Sequence, residues 1–184
     1  LAEELSRLIP AIARLRATVP NLPLSVDTQK PEVASAALDA GAHLINDIWG
    51  VRPGDEMLRL AAERGVPIVV MHNRHEVRTG AAGRRFDTEL LDELAALSAR
   101  AAALGIPAER LILDPGFGFG KTPAQNLVAL RLLGRIRDLG HPVLLGTSRK
   151  STLGRILDVG PDDRVAATVA TSARSEEHTS ELQS

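Results

Sequence analysis

The residues best equipped for chemistry stand where apolar runs end. Leu111–Ile112–Leu113 runs into Asp114 and Pro115, then into Gly116, Gly118 and Gly120 interleaved with Phe117 and Phe119, and closes on Lys121 and Thr122. Glycines let a chain turn tightly and bring its amides close to a ligand, so an acid before them and a lysine beyond them read as ligand-facing groups. Alone, Asp114 would as readily cap a turn. It is not alone. Asp27 follows Leu24–Ser25–Val26, Asn46 and Asp47 follow Ile45, and His72 follows Val70–Met71. Gly146–Thr147–Ser148–Arg149–Lys150 follows Val143–Leu144–Leu145.

Carboxylates at Asp27 and Asp114 with the amide of Asn46 suit a planar heterocycle carrying amidine-like N–H donors and ring acceptors. A carboxylate accepts paired hydrogen bonds, and an amide both donates and accepts. Arg149 and Lys150 could hold an anionic substrate group, or be a solvated basic turn. Ser151 opens a helix whose first amides favour an anion. His72 reads as a substrate contact or a satisfied core histidine rather than a metal ligand, because no second His or Cys stands at ligand spacing from it. His43 and His141 precede or start strands on the opposite face and read as structural, and Trp49 as packing. Arg74, Arg78, Arg84 and Arg85 make one loop basic, as a lid or as plain surface.

Positioning these groups requires strands that end on one side. Leu5, Leu8, Ile9, Ile12 and Leu15 recur at helical spacing, so a surface helix is expected to about Thr18. Five short apolar strands follow, at about 22–26, 43–45, 66–70, 111–113 and 142–145. Helices are expected between them: from Pro31 to Ala40, from Asp55 to Arg64, from Asp87 to Leu104 and from Pro123 to Leu139. Two more, Ser151–Leu157 and Asp162–Ala173, come after the last strand. This alternation implies parallel β/α units with right-handed crossovers, in an open doubly wound sheet or in part of a (β/α)₈ barrel. Either way the strands' carboxyl ends share the face where such folds bind ligands.

At 184 residues with 44% hydrophobic content the chain is about one domain with a sizeable core. A formal net charge of -1 with interspersed signs offers no basic stripe for nucleic acid, and no segment approaches a membrane span. Cysteine is absent, which excludes disulfides and thiolate metal sites and fits a reducing compartment. No signal peptide opens the chain, and Leu1 already lies inside an amphipathic pattern, as in a piece cut from something longer.

Five segments together resemble the successive motifs of dihydropteroate synthase: Ser25–Val26–Asp27–Thr28, Ile45–Asn46–Asp47, Met71–His72, Asp114 to Lys121, and Gly146 to Lys150. The resemblance implies a (β/α)₈ TIM barrel, here truncated to about five β/α units, strands 3 to 7. It implies condensation of 6-hydroxymethyl-7,8-dihydropterin diphosphate with 4-aminobenzoate to 7,8-dihydropteroate and diphosphate, in folate biosynthesis. Carried over by position, Asp27, Asn46, Ile48, Met71, Asp114, Gly146 and Lys150 would bind the pterin, with Asp114 and Lys150 as the catalytic pair. Phe119, Ser148, Arg149 and Ser151 would bind 4-aminobenzoate, where sulfonamides compete. Mg2+ would assist the diphosphate, with no ligand assignable among these residues. A cytoplasmic homodimer is the expected full-length form.

The family's Asn-x-Thr-Pro-Asp-Ser-Phe motif would precede Leu1, and its Arg-x-His motif would follow Ala173. The polar segment 174–184 instead resembles a translated sequencing-library adapter, so a partial barrel domain is expected at 1–173 and a non-native tail after it. The chain alone is then expected to lack synthase activity. A non-catalytic pterin-binding module and a pterin-dependent methyl-transfer domain are the competing readings, and the Ser148–Lys150 tip is similar to the synthase rather than to the latter.

Overall fold

The computed structural model describes residues 1–50, 54–73 and 85–176. Over these the chain alternates helix and strand: α1 (Ala2–Thr18), β1 (Ser25–Asp27), α2 (Pro31–Asp39), β2 (Leu44–Asp47), α3 (Glu56–Arg64), β3 (Ile68–Met71), α4 (Phe86–Ala103) and β4 (Leu111–Asp114). Helices α5 (Pro123–Arg131), α6 (Leu133–Arg137), α7 (Ser151–Leu157) and α8 (Val165–Glu176) follow. The strands form a parallel four-stranded sheet in the order β1-β2-β3-β4.

Burial explains why these residues choose these elements. Central β3, Ile68–Val69–Val70–Met71, is buried throughout, as a strand covered on both faces of a parallel sheet must be. Helix α4 buries Leu90, Leu94, Leu97 and Ala101, spacings of four, three and four that keep one stripe against the sheet. They meet Ile45, Ile68, Val70, Leu111 and Leu113 in the main core. A second cluster of Phe117, Leu130, Leu133 and Leu153 fixes the glycine loop to α5, α6 and α7.

Three elements differ from expectation. Segment 142–145 is not a full strand: only Val143 bridges to Leu113, through Leu113 N–H to Pro142 O at 2.9 Å and Leu144 N–H to Leu113 O at 2.9 Å. Pro142 has no N–H to extend the ladder, and Leu144 is 40% exposed. The helix expected from Pro123 to Leu139 divides at Leu132, whose N–H is shared between the Val128 and Ala129 carbonyls in a tightened turn. The last helix begins later, at Val165 after a 3-10 turn over Pro161–Arg164, and continues through Glu176.

Helix α5 starts on a capping box. Gln125 N–H donates to Thr122 Oγ1 at 3.2 Å, Thr122 N–H donates to Gln125 Oε1 at 2.9 Å, and Pro123 takes the first helical position. Thr122→Ala is expected to lower stability by about 1 kcal/mol, read as a lower urea midpoint at unchanged m-value.

Candidate active site at the strand ends

Strand register sets the direction of the site. Asp27 pairs with Asn46, Asn46 with Val69, and Val69 with Ile112. Side chains alternate along a strand, so Met71 and Asp114, two residues beyond Val69 and Ile112, point to the same face as Asp27 and Asn46. The other face carries Val26, Ile45, Asp47, Ile68, Val70, Leu111 and Leu113, all buried. Asp47 therefore faces the helices, where its Oδ1 accepts the Trp49 N–H at 3.0 Å. It is a turn residue, and Asn46 is the one that shares the face of Asp27 and Asp114. Asn46 Nδ2 donates to Asp27 Oδ2 at 3.2 Å, which orients the carboxylate.

Asp114 is 7% exposed. Burial pushes its carboxyl up to about 6, against the opposing pull of the Gly116 N–H, Lys121 and Lys150. That N–H donates to Asp114 Oδ1 at 2.7 Å. Lys150 is pushed down from the usual lysine range by burial, and the Asp114 charge partly restores it. Its Nζ stands 3.8 Å from the centroid of the Phe119 ring, a cation–π contact. Its stem crosses Gly118, where a Cβ would come within 3.1 Å of Lys150 Cδ. Asp114, Phe119 and Lys150 thus form one wall, and Asp27 with Asn46 forms another.

The remaining predicted residues are placed less uniformly. Met71 is buried, Ile48 is half-buried with its carbonyl accepting from Asn73 Nδ2 at 3.0 Å, and Gly146 borders open space. Ser148 is exposed. Arg149 takes a left-handed φ of 49°. Its guanidinium reaches Asp162 Oδ1 at 2.6 Å and Pro161 O at 3.1 Å, away from Lys150. Ser151 borders a separate cavity of about 420 Å³ with Arg155, Asp158 and Arg164. The structure therefore joins Lys150 and Phe119 but leaves Arg149 and Ser151 outside that contact.

His72 is buried, with Nε2 2.8 Å from Glu93 Oε2 and its ring edge-on to Phe86; it is a core histidine paired with Glu93. His43 Nδ1 accepts the Leu24 N–H, and His141 contacts Ser98 and Ala108 O, so both are structural. Of the basic loop, Arg74, Arg78 and Arg84 lie outside the described residues. Lys121 departs from expectation: its Nζ is turned into the loop, where it donates to three main-chain carbonyls. Sequence reading also passed over Asn126. Its signal was a polar residue in the 126, 129, 130, 133 helical row of otherwise apolar positions. It also passed over Glu4, which accepts from Thr28 Oγ1 at 2.8 Å and Lys30 Nζ at 2.5 Å. These bonds hold Glu4 below the usual carboxylate range, Lys30 first, beside a cavity of about 500 Å³ that also borders Asp27.

A family of pterin binding enzymes matches residues 1–181. The chain belongs to the pterin binding enzyme family. It is 45% identical over 172 residues to dihydropteroate synthase of Bacillus subtilis, covering 92% of this chain and 58% of that protein. The Xanthomonas albilineans dihydropteroate synthase structure with 4-aminobenzoic acid superposes at a TM-score of 0.87 and 41% identity, over 96% of this chain and 63% of that one. The Thermus thermophilus dihydropteroate synthase structure in complex with 6HMPPP gives 0.85 and 44%, over 96% and 68%. The chain spans about three fifths of the length of the curated relatives it matches.

Among its described residues no helix is long and apolar enough to cross a membrane. No group of three or more His, Cys, Asp or Glu there could hold a metal ion.

Proposed function

We propose that this chain is the two-substrate wall of a dihydropteroate synthase, part of a (β/α)₈ barrel whose inner face carries Asp27, Asn46, Met71 and Asp114. The observation that carries this reading is the Asp114–Lys150–Phe119 wall standing on the same sheet face as the Asn46–Asp27 pair.

In the reaction, the 4-aminobenzoate amine attacks the pterin methylene carbon, the carbon–oxygen bond to diphosphate breaks, and the amine loses a proton. Positive charge develops on the pterin as diphosphate departs. Asp27 and Asp114 lie where they stabilise that charge electrostatically. Asn46 fixes the Asp27 carboxylate and offers the ring an amide oxygen. Lys150 sits between the sites, with its stem beside Gly118 and its ammonium on Phe119, against which an aromatic amine can stack.

Asp114 must be ionised to accept from the pterin. With its carboxyl near 6, pterin affinity is expected to hold above pH 6 and to fall about tenfold per pH unit below it. Titrating the chain with 6-hydroxymethylpterin by fluorescence from pH 4.5 to 8 tests this, and a flat profile argues against Asp114 as the ring acceptor. Binding of 4-aminobenzoate in the same assay separates the synthase from a methyl-transfer domain. Turnover by the 184-residue chain alone is expected to be negligible, because among the described residues the sheet edge at β1 is unpaired and the other edge carries a single bridge.

A further inference from the structure

We infer that Lys121 and Asn126 are positioning residues that lock the glycine loop to the tip of β3 and to α7, so that Phe119 and Lys150 hold one mutual arrangement. Lys121 is 5% exposed, and its Nζ donates to His72 O at 2.7 Å, Gly116 O at 2.9 Å and Phe119 O at 3.0 Å. An ammonium has three donors, and here each meets a carbonyl, one on β3's tip and two on the loop. Burying a charge is costly unless it is hydrogen-bonded, so the ammonium holds these carbonyls in one cluster. The room for it exists because residue 116 has no side chain: a Cβ there would lie 2.9 Å from Lys121 Nζ.

Asn126 performs the second attachment. It is 0% exposed; its Oδ1 accepts the Gly118 N–H at 2.7 Å, and its Nδ2 donates to Thr122 O at 3.0 Å and Thr152 Oγ1 at 3.2 Å. Thr152 lies two residues beyond Lys150 on α7. One buried amide therefore ties the residue before Phe119 to the helix that begins directly after Lys150. The consequence for aminobenzoate recognition rests on the proposed synthase reading, but the mechanical coupling does not.

Side-chain NMR of the chain tests the coupling without any ligand, since Lys30, Lys121 and Lys150 are its only lysines. The Lys121 ammonium hydrogens are expected to exchange with water at least about tenfold more slowly than those of half-buried Lys30, whose ammonium pairs with Glu4. In Lys121→Met the Asp114 carboxyl midpoint should rise from about 6 by about 1 pH unit, with loss of the Lys150–Phe119 ring NOEs. Asn126→Leu should lose the same NOEs. If a variant fails to fold, as judged by the amides of β3, the exchange measurement on the unaltered chain decides. Exchange as fast as that of Lys30 overturns the inference. So do folded variants that are less stable yet keep both the Asp114 midpoint and the Lys150–Phe119 NOEs. A chain that shows the coupling but binds no pterin refutes the synthase reading alone.

Discussion

Asp114→Asn should abolish pterin recognition while making the protein more stable. The carboxylate's ordinary value is 3.8, and in the folded chain it is raised to about 6, with burial the leading cause. A raised acid pKa means that the folded state binds the proton more tightly than the unfolded one. This group's favourable contribution is complete below about pH 4 and is lost as pH rises through 6, so the ionised form at neutral pH is a net cost of about 3 kcal/mol. Asparagine removes the charge and keeps an oxygen for the Gly116 N–H, while leaving its own amide hydrogens to be satisfied. A net gain of about 2 kcal/mol at pH 7 is expected, shrinking to nothing near pH 4. Pterin affinity should fall by about 10²–10³-fold, because a charge-assisted acceptor is lost. Urea unfolding at pH 4 and pH 7 with pterin titration checks both halves; a variant destabilised at pH 7 would contradict the assignment of Asp114 as a strained, function-bearing acid.

The other large effect is expected at Gly116. Its φ is 69°, and a Cβ would lie 2.0 Å from the His72 carbonyl oxygen, a backbone atom that cannot step aside without moving β3. Left-handed strain adds to this overlap, so Gly116→Ala should cost about 4 kcal/mol and displace Phe119 from Lys150. Gly118→Ala is the internal control. It has a similar φ of 85°, but its added Cβ meets only the flexible Lys150 stem at 3.1 Å, so a cost of about 1–2 kcal/mol is expected. Equal unfolding midpoints for the two variants would show that the His72 carbonyl does not govern the loop.

The legible parts of the fold and site were those governed by local pattern. Acids and amides at the ends of apolar runs located Asp27, Asn46 and Asp114, and Pro31, Gly65 and Pro123 bounded their helices within a residue or two. Their sharing of one sheet face depends on the pairing of Asp27 with Asn46 and of Met71 with Asp114, a register that no single segment encodes. Lys121 was read as ligand-facing because its neighbours are glycines. What decides its role is the His72 carbonyl, 49 residues away in sequence. Arg149 and Lys150 are adjacent and alike in charge, yet a left-handed φ at Arg149 sends them apart. The segment 142–145 has strand composition, but strand extent depends on partners, and Val143 pairs only with Leu113.

The most direct measurement joins this chain to the flanking segments of the Bacillus subtilis relative, 45% identical to it, and assays 7,8-dihydropteroate formation from 6-hydroxymethyl-7,8-dihydropterin diphosphate and 4-aminobenzoate. The strand-end wall predicts turnover in the folded chimera, sulfonamide inhibition competitive with 4-aminobenzoate, and loss of product in Asp114→Asn and Lys150→Met. A folded chimera that binds pterin but forms no dihydropteroate, or one whose turnover survives Asp114→Asn, would contradict it.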